Sequence, residues 1–208
     1  MTTITGCLFI ISAPSGTGKT SLVKALLATD SKLNLSVSHT SRSPRSSEVN
    51  GRDYHFINQA DFKHMEQRGD FLESAEVYGN FYGTSQKWIN ETINAGQDIL
   101  LEIDCQGAAQ VHHHFPQSIS IFILPPSPET LASRLNSRGQ DDADVIEKRL
   151  AAAREEVNHI NEFDYVIINN EIDDALKDLT CIVRAVRLRL ARQLVNHDKL
   201  ISELKDFP

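Results

Sequence analysis

A three-layer α/β domain with a parallel core sheet is predicted by three observations. Short, uninterrupted Ile/Leu/Val-rich runs recur at 7–11, 98–103, 119–124 and 165–168, as expected of strands covered on both faces. Segments with apolar residues at helical spacing separate them. The first strand runs into a glycine-rich turn and then a helical pattern, and this alternation suits a sheet flanked by helices.

Length and charge bound the rest. The chain has 208 residues, 40% apolar and 24% charged, which suffices for one self-supporting core and one domain. Its 28 acidic residues exceed its 21 basic ones, for a formal charge of −7, and this excludes a surface coated for nucleic acid or an anionic membrane. Positive charge for a polyanionic ligand must therefore gather locally. Cys7, Cys105 and Cys181 are far apart and odd in number, so they read as small buried hydrophobes in a reducing compartment. The run 7–11 is too short to span a bilayer, and residues 1–6 lack the basic flank and apolar stretch of a secretion signal. The expectation is a cytoplasmic protein with neither membrane nor nucleic-acid partner.

After the first strand, Leu22, Val23, Leu26 and Leu27 place a helix over 21–28. Segment 33–84 breaks the rhythm. Leu35, Val37, Tyr54 and Phe56 alternate with polar residues, Asn50-Gly51 marks a turn, and 77–82 is aromatic, which predicts a small, partly antiparallel insertion. Helices are expected over 85–95, 130–137, 143–160 and from 172 to about 195, with 137–144 reading as a helix end and solvated hinge.

The strongest functional signal is Ser12-Ala13-Pro14-Ser15-Gly16-Thr17-Gly18-Lys19-Thr20, set between the first strand and the first helix as a phosphate loop requires. Amides at a helix start point outward unpaired, and Gly16 and Gly18 let the chain curl so that several converge on phosphate oxygens. Lys19 adds a point charge for the β/γ-phosphates, and Thr20 places a hydroxyl for Mg²⁺. Ala13 stands where the pattern has glycine. The loop alone leaves open whether the γ-phosphoryl goes to water or to a second substrate.

Residues downstream suggest the second substrate. Arg42 and Arg45 straddle Pro44 and offer two planar forks to one phosphate monoester. Tyr54 and Tyr82 add hydroxyls, Glu73 a carboxylate and Thr84 a hydroxyl, while Glu102 and Asp104 close an apolar strand at the end where α/β sheets place ligands. Taken singly, each has a plainer reading as solvated surface or core edge.

Together, Ser-Ala-Pro-Ser-Gly-Thr-Gly-Lys-Thr, Ser-Arg-Ser-Pro-Arg, Glu-Val-Asn-Gly-Arg-Asp-Tyr, Tyr-Gly-Thr, Ile-Asp-Cys-Gln-Gly and Ser-Arg-Gly resemble the guanylate kinases in order, from about residue 8 to 192. The resemblance implies transfer of a phosphoryl group from ATP to GMP in purine nucleotide metabolism, with Mg²⁺. It implies a core of 1–33, 85–125 and 157–208, a GMP-binding subdomain of 34–84 and a helical lid of about 126–156. It implies that Ala13, Pro14, Ser15, Gly16, Thr17, Gly18, Lys19, Thr20 and Asn169 serve ATP. Arg42, Arg45, Tyr54 and Tyr82 would hold the GMP phosphate, and Ser38, Glu73, Thr84 and Asp104 would face guanine. The chemistry agrees: ionised carboxylates only accept, matching the N1–H and N2–H₂ donors of guanine, whereas adenine would leave them unpaired.

Arg134 and Arg138 lie one turn apart on a predicted helix face and Arg149 follows beyond the hinge. By the resemblance these arginines close over ATP, exclude water and neutralise the transferring phosphoryl group. The alternative is a solvated face with intrahelical ion pairs. Two further features read as non-functional. His112-His113-His114 lacks metal-site spacing, and Arg184, Arg187, Arg189 and Arg192 read as a solvated stripe or subunit contact of a homo-oligomer. A non-catalytic module binding phosphorylated peptide and a kinase for another phosphorylated acceptor are the competing functions. The intact Lys19, Thr20 and lid arginines speak against the first, and Glu73 with Asp104 against the second.

Overall fold

The computed structural model describes residues 6–77, 79–136 and 143–207, with side chains from 147 onward in the last stretch. Five strands form a parallel sheet in the order β2 (Leu33–Leu35), β7 (Asp98–Glu102), β1 (Leu8–Ser12), β8 (Ile119–Leu124) and β9 (Tyr165–Ile168). Alternation along β1 builds the layers. Phe9 and Ile11 face α1 (Lys19–Thr29) and α7 (Ile172–Arg187), packing with Leu22, Leu26, Leu179 and Val183. Leu8 and Ile10 face α3 (Gln86–Asn94) and α4 (Cys105–His114), meeting Ile89, Ile93 and Val111. Phe9, Ile10 and Ile11 are wholly inaccessible, and burial of each such side chain contributes about 1.5–3 kcal/mol.

The insertion carries its own sheet, ordered β4 (His55–Phe56), β3 (His39–Thr40), β6 (Asn80–Ser85), β5 (Phe71–Val77). Only β3 and β4 pair in parallel. Helix α2 (Gln59–Gln67) covers it with Phe62, whose ring stacks on Phe71 and Phe81 at 4.6 and 5.5 Å. At the Asn50-Gly51 turn, Gly51 takes φ 79° and donates its amide to the Tyr54 carbonyl at 2.7 Å.

Several expectations need correction. Leu33–Leu35, placed by its sequence in the irregular segment, is the edge strand of the core sheet. The long last helix ends at Arg187, and α8 (Leu190–Asn196) and α9 (Asp198–Lys205) follow it. Arg189 adopts φ −55° and ψ 137°, a non-helical geometry that breaks the hydrogen-bond ladder despite a continuous apolar stripe. Arg187 and Arg192 are not merely solvated: Arg187 pairs with Asp30 at 2.5 Å and Asp98 at 2.6 Å, and Arg192 with Asp98 at 3.4 Å. They tie the C-terminal helices to the start of β7. Cys7 and Cys105 are buried, but Cys181 is exposed on the outer face of α7. The edge strand β9 buries Ile167, while Val166 and Ile168 on its other face are 44% and 51% exposed.

Candidate active site

The sheet delivers three chain segments to one place. β1 runs into the phosphate loop, β7 ends at Glu102 and continues through Ile103 and Asp104, and the insertion folds Glu73 and Tyr82 over them. The result is a cleft of about 300 Å³ lined by Ala13–Ser21, Ser38, Arg45, Tyr54, Glu73, Tyr82, Glu102, Asp104, Arg149 and Glu156 among others. It lies at the carboxyl ends of the strands, as α/β folds arrange.

The loop is built to present amides. Gly16 and Gly18 take φ 92° and 93°, the left-handed region that only glycine enters freely. Gly18 caps α1, yet no side chain caps the first turn and no acidic residue sits in it, so its amides stay available for an anion. Thr17 braces the turn from within, its hydroxyl donating to the Pro14 carbonyl at 2.9 Å. Asn169, just beyond β9, donates to the Thr17 carbonyl at 2.7 Å, so it supports the loop directly. A Cβ on Gly18 would lie 2.6 Å from the Asn169 amide nitrogen. Ala13 is buried in the core cluster beneath the loop, so the methyl that departs from the glycine pattern gains apolar contact.

Lys19 and Thr20 open α1. The Lys19 ammonium donates to the Ile103 carbonyl at 3.0 Å, and the Thr20 hydroxyl donates to Glu102 Oε1 at 2.5 Å. Thr20 and Glu102 thus set a hydroxyl and a carboxylate oxygen side by side beneath the loop, a hard-oxygen pair that suits Mg²⁺. In the sequence Glu102 reads equally as a site carboxylate and as a partner for a helix end. Its contact with Thr20 spans 82 positions, and no local signal announces it.

In the insertion, Arg42 donates to Glu48 Oε1 at 2.8 Å and its guanidinium lies 5.6 Å from the Tyr54 ring centroid. Hydrogen bonding to Glu48 holds Arg42 above the usual guanidinium range, with Tyr82 adding to it. The Arg42 contact holds Glu48 below the usual carboxylate range in turn. Glu48 also accepts from the Arg45 amide at 2.7 Å. It is not among the residues expected from the sequence, and it fixes the Arg42 side chain and the Arg45 main chain together. The Arg45 side chain is 69% exposed at the cleft mouth. Tyr54 meets Tyr82 edge-on with centroids 5.9 Å apart; burial and the nearby Glu102 push its phenol up to about 12.

The base end of the cleft is the most enclosed. Glu73 is 4% exposed, and its Oε1 accepts from the Thr84 hydroxyl at 2.5 Å. Ser38 Oγ lies 3.4 Å from the Thr84 oxygen, so Ser38, Thr84 and Glu73 form a chain along one wall. Burial, reinforced by the Asp104 charge and opposed by Thr84, pushes the Glu73 carboxyl up to about 7. Asp104 caps α4, accepting from the Gly107 amide at 2.8 Å. Gly107 lets α4 approach closely, because a Cβ there would lie 2.6 Å from Glu73 Oε2.

The arginines beyond β8 reach the loop from the other side. Arg134 of α5 (Pro128–Asn136) donates to the Thr17 carbonyl at 3.2 Å and the Asn169 carbonyl at 3.1 Å. Leu131 and Leu135 of the same helix pack against Gly16, so α5 is anchored on the loop. Arg149 of α6 (Ala143–Val157) donates to Ser15 Oγ at 3.1 Å. Arg138 lies outside the described residues. The described site thus gathers all the other residues expected from the sequence around the loop or the insertion, although Arg134 is turned onto backbone carbonyls.

Comparison with known proteins bears on this geometry. The family model described as guanylate kinase matches residues 6–186. A guanylate kinase of Nitrosomonas europaea is 60% identical over 197 residues, covering 95% of this chain and 98% of that protein. One of Nitrosospira multiformis is 59% identical, covering 98% and 97%. Among solved structures, a guanylate kinase from Anaplasma phagocytophilum aligns with a TM-score of 0.77 at 32% identity, over 92% of each chain.

Proposed function

The chain belongs to the guanylate kinase family, and from that premise we propose how its residues divide the work of phosphorylating GMP with ATP as donor. One observation carries the reading: a single cleft joins the phosphate loop to the buried acceptor wall at Glu73. ATP takes the loop, its phosphates held by the amides of 13–20 and by Lys19, while Asn169 keeps the loop in shape from behind. Mg²⁺ fits at Thr20, with Glu102 beside it, and supplies charge neutralisation for the phosphates when bound. GMP takes the insertion, which with 34–84 as its extent acts as a GMP-binding subdomain against the core, and 126–156 acts as the lid.

Arg42 and Arg45 hold the GMP phosphate as planar donors, helped by Tyr54 and Tyr82. Glu48 fixes the Arg42 side chain and the Arg45 main chain. Glu73 and Asp104 accept from the guanine N1 and N2 donors, and Ser38 and Thr84 offer hydroxyls to the same base. Guanine donors reaching Glu73 favour its charged form, so GMP binding draws the carboxyl back down from about 7.

The chemistry then needs little more than positioning. An anionic oxygen of the GMP phosphate attacks the γ-phosphorus in line, a new P–O bond forms, the bond to the β-bridging oxygen breaks and ADP leaves. Arg149 reaches the loop from α6, and Arg134 and Arg138 complete the set of lid cations that the family resemblance implies. Charge held over the transferring group in a closed, dry cleft favours GMP over water as acceptor. A cytoplasmic setting is part of this reading, supported by three cysteines that stand free.

The test is ADP release from ATP with GMP, AMP, dTMP or ribose 5-phosphate as acceptor, with Mg²⁺ present. Turnover should depend on GMP. Equal turnover with AMP would overturn the roles of Glu73 and Asp104, and turnover without any acceptor would overturn the lid assignment.

A further inference from the structure

One carboxylate in the cleft is unused by the reaction above. Glu156 sits in the last turn of α6, two helical turns beyond Arg149, and both side chains line the cleft. Arg149 donates to Ser15 Oγ, and the Glu156 carboxyl shares the cleft with Ser15, Lys19 and Asp104, within electrostatic reach of Lys19 and Asp104 and beside the Ser15 amide. Its Oε2 is buried without a hydrogen-bond donor among the described residues. The main chain of Glu156 is held against the start of α4, its carbonyl 3.8 Å from the Cys105 thiol.

A buried carboxylate oxygen without a donor is unfavourable. Here it stands where amides and a lysine are arranged to receive phosphate oxygens. A carboxylate and a phosphate both present anionic acceptor oxygens, and one loop cannot satisfy both. We propose that Glu156 is a built-in stand-in for a nucleotide phosphate: it occupies the edge of the phosphate loop in the free protein and must yield to the incoming phosphate chain. This inference rests on the assignment of 13–20 to ATP.

The consequence is a positioning residue that weakens the grip on phosphates. Its negative charge at the loop opposes a bound diphosphate, while Lys19 rests on the Ile103 carbonyl. ADP therefore leaves more readily than the loop alone would permit. The effect is confined to the phosphate chain, since Glu156 is placed at the loop and not at the base wall formed by Glu73.

Calorimetric titration of ADP, pyrophosphate and adenosine into the wild type, Glu156→Gln, Glu156→Ala and Glu156→Asp tests this. Both neutral variants should bind ADP and pyrophosphate about tenfold tighter, equivalent to about 1.4 kcal/mol. Adenosine affinity should not change, and Glu156→Asp should stay within about twofold of the wild type, because the charge is kept. ADP dissociation measured by stopped flow should slow in step with the gain. Unchanged or weaker ADP binding in the neutral variants would overturn the inference, as would an equal gain for adenosine. A wild type that binds neither ADP nor pyrophosphate would instead overturn the ATP-site assignment itself, and the inference with it.

Discussion

Replacing Glu73 by glutamine keeps the side chain's shape and removes its charge, and two opposite effects follow. In the free protein the carboxyl moves from 4.5 to about 7, chiefly through burial. At about 1.4 kcal/mol per pH unit, holding it ionised costs roughly 3 kcal/mol. The side chain is 4% exposed, so solvent screening removes little of this. The folded state keeps its proton to higher pH than the unfolded chain, so wild-type stability falls as pH climbs from 4.5 through about 7 and then levels. Glu73→Gln lacks this dependence. It should melt close to the wild type near pH 5 and roughly 6–12 °C higher at pH 8, at about 2–4 °C per kcal/mol for a chain of this size. The amide can still accept from Thr84. Its NH₂, however, then meets the guanine donors, and loss of hydrogen bonds to a charged acceptor is worth about 1.5–3 kcal/mol. KM for GMP should rise roughly ten- to hundredfold, and the preference for GMP over AMP should shrink. Scanning calorimetry across pH and steady-state kinetics at saturating ATP read the two effects separately. A melting difference that does not vary with pH would refute the burial account of Glu73, and an unchanged KM would refute its contact with guanine.

Other substitutions probe the remaining parts. Lys19→Ala should lower kcat by at least about a hundredfold with the fold intact by circular dichroism; retained turnover would remove Lys19 from the reaction. Arg45→Ala should raise KM for GMP while changing stability by less than about 0.5 kcal/mol, because its side chain is 69% exposed. Arg42→Ala should raise KM and also destabilise by about 1–2 kcal/mol, since it strands Glu48, and parallel urea titrations distinguish the two arginines. Gly107→Ala would ordinarily favour its helix by about 1 kcal/mol, but a Cβ 2.6 Å from Glu73 Oε2 must displace the carboxyl. KM for GMP should rise, and an unaltered value would show that Glu73 has room to move. Arg187→Ala should cost about 3 kcal/mol by leaving Asp30 and the buried Asp98 short of a partner, with both KM values unmoved; a shift in either would tie that cluster to the active site.

The parts legible in the sequence share a physical reason. β1, the phosphate loop and α1 are contiguous, so strand pattern, glycines and helix periodicity reinforce one another within one short stretch. The acceptor residues were legible through their order along the chain. What stayed hidden is long-range or locally weak. Helix α4 carries Gly107 and small residues instead of a leucine stripe, and α2 buries only Phe62, so neither gives a strong period. For α2 the local signal was present in Asn58, which caps the Asp61 amide at 2.8 Å. The break at Arg189 interrupts an apolar pattern that continues across it. Glu48 could have been suspected from its place between two functional stretches, but the contacts of Glu102 with Thr20 and of Asn169 with Thr17 join distant segments. The turn of Arg134 onto backbone carbonyls likewise depends on how α5 seats against the loop.

Asp104 limits how the base pocket can diverge. One of its oxygens accepts from the Gly107 amide at the start of α4, so the same carboxylate caps a helix and faces the base. Residues that keep the cap are few: asparagine, serine and threonine in addition to aspartate. Glutamate, with its longer stem, loses the cap geometry, and an apolar side chain forfeits about 1 kcal/mol of helix stability before any ligand enters. Position 73 carries no such duty. A redesign toward an adenine acceptor is therefore best begun at Glu73 and Thr84, with asparagine the substitution at 104 that changes the pocket's polarity while the helix keeps its first turn.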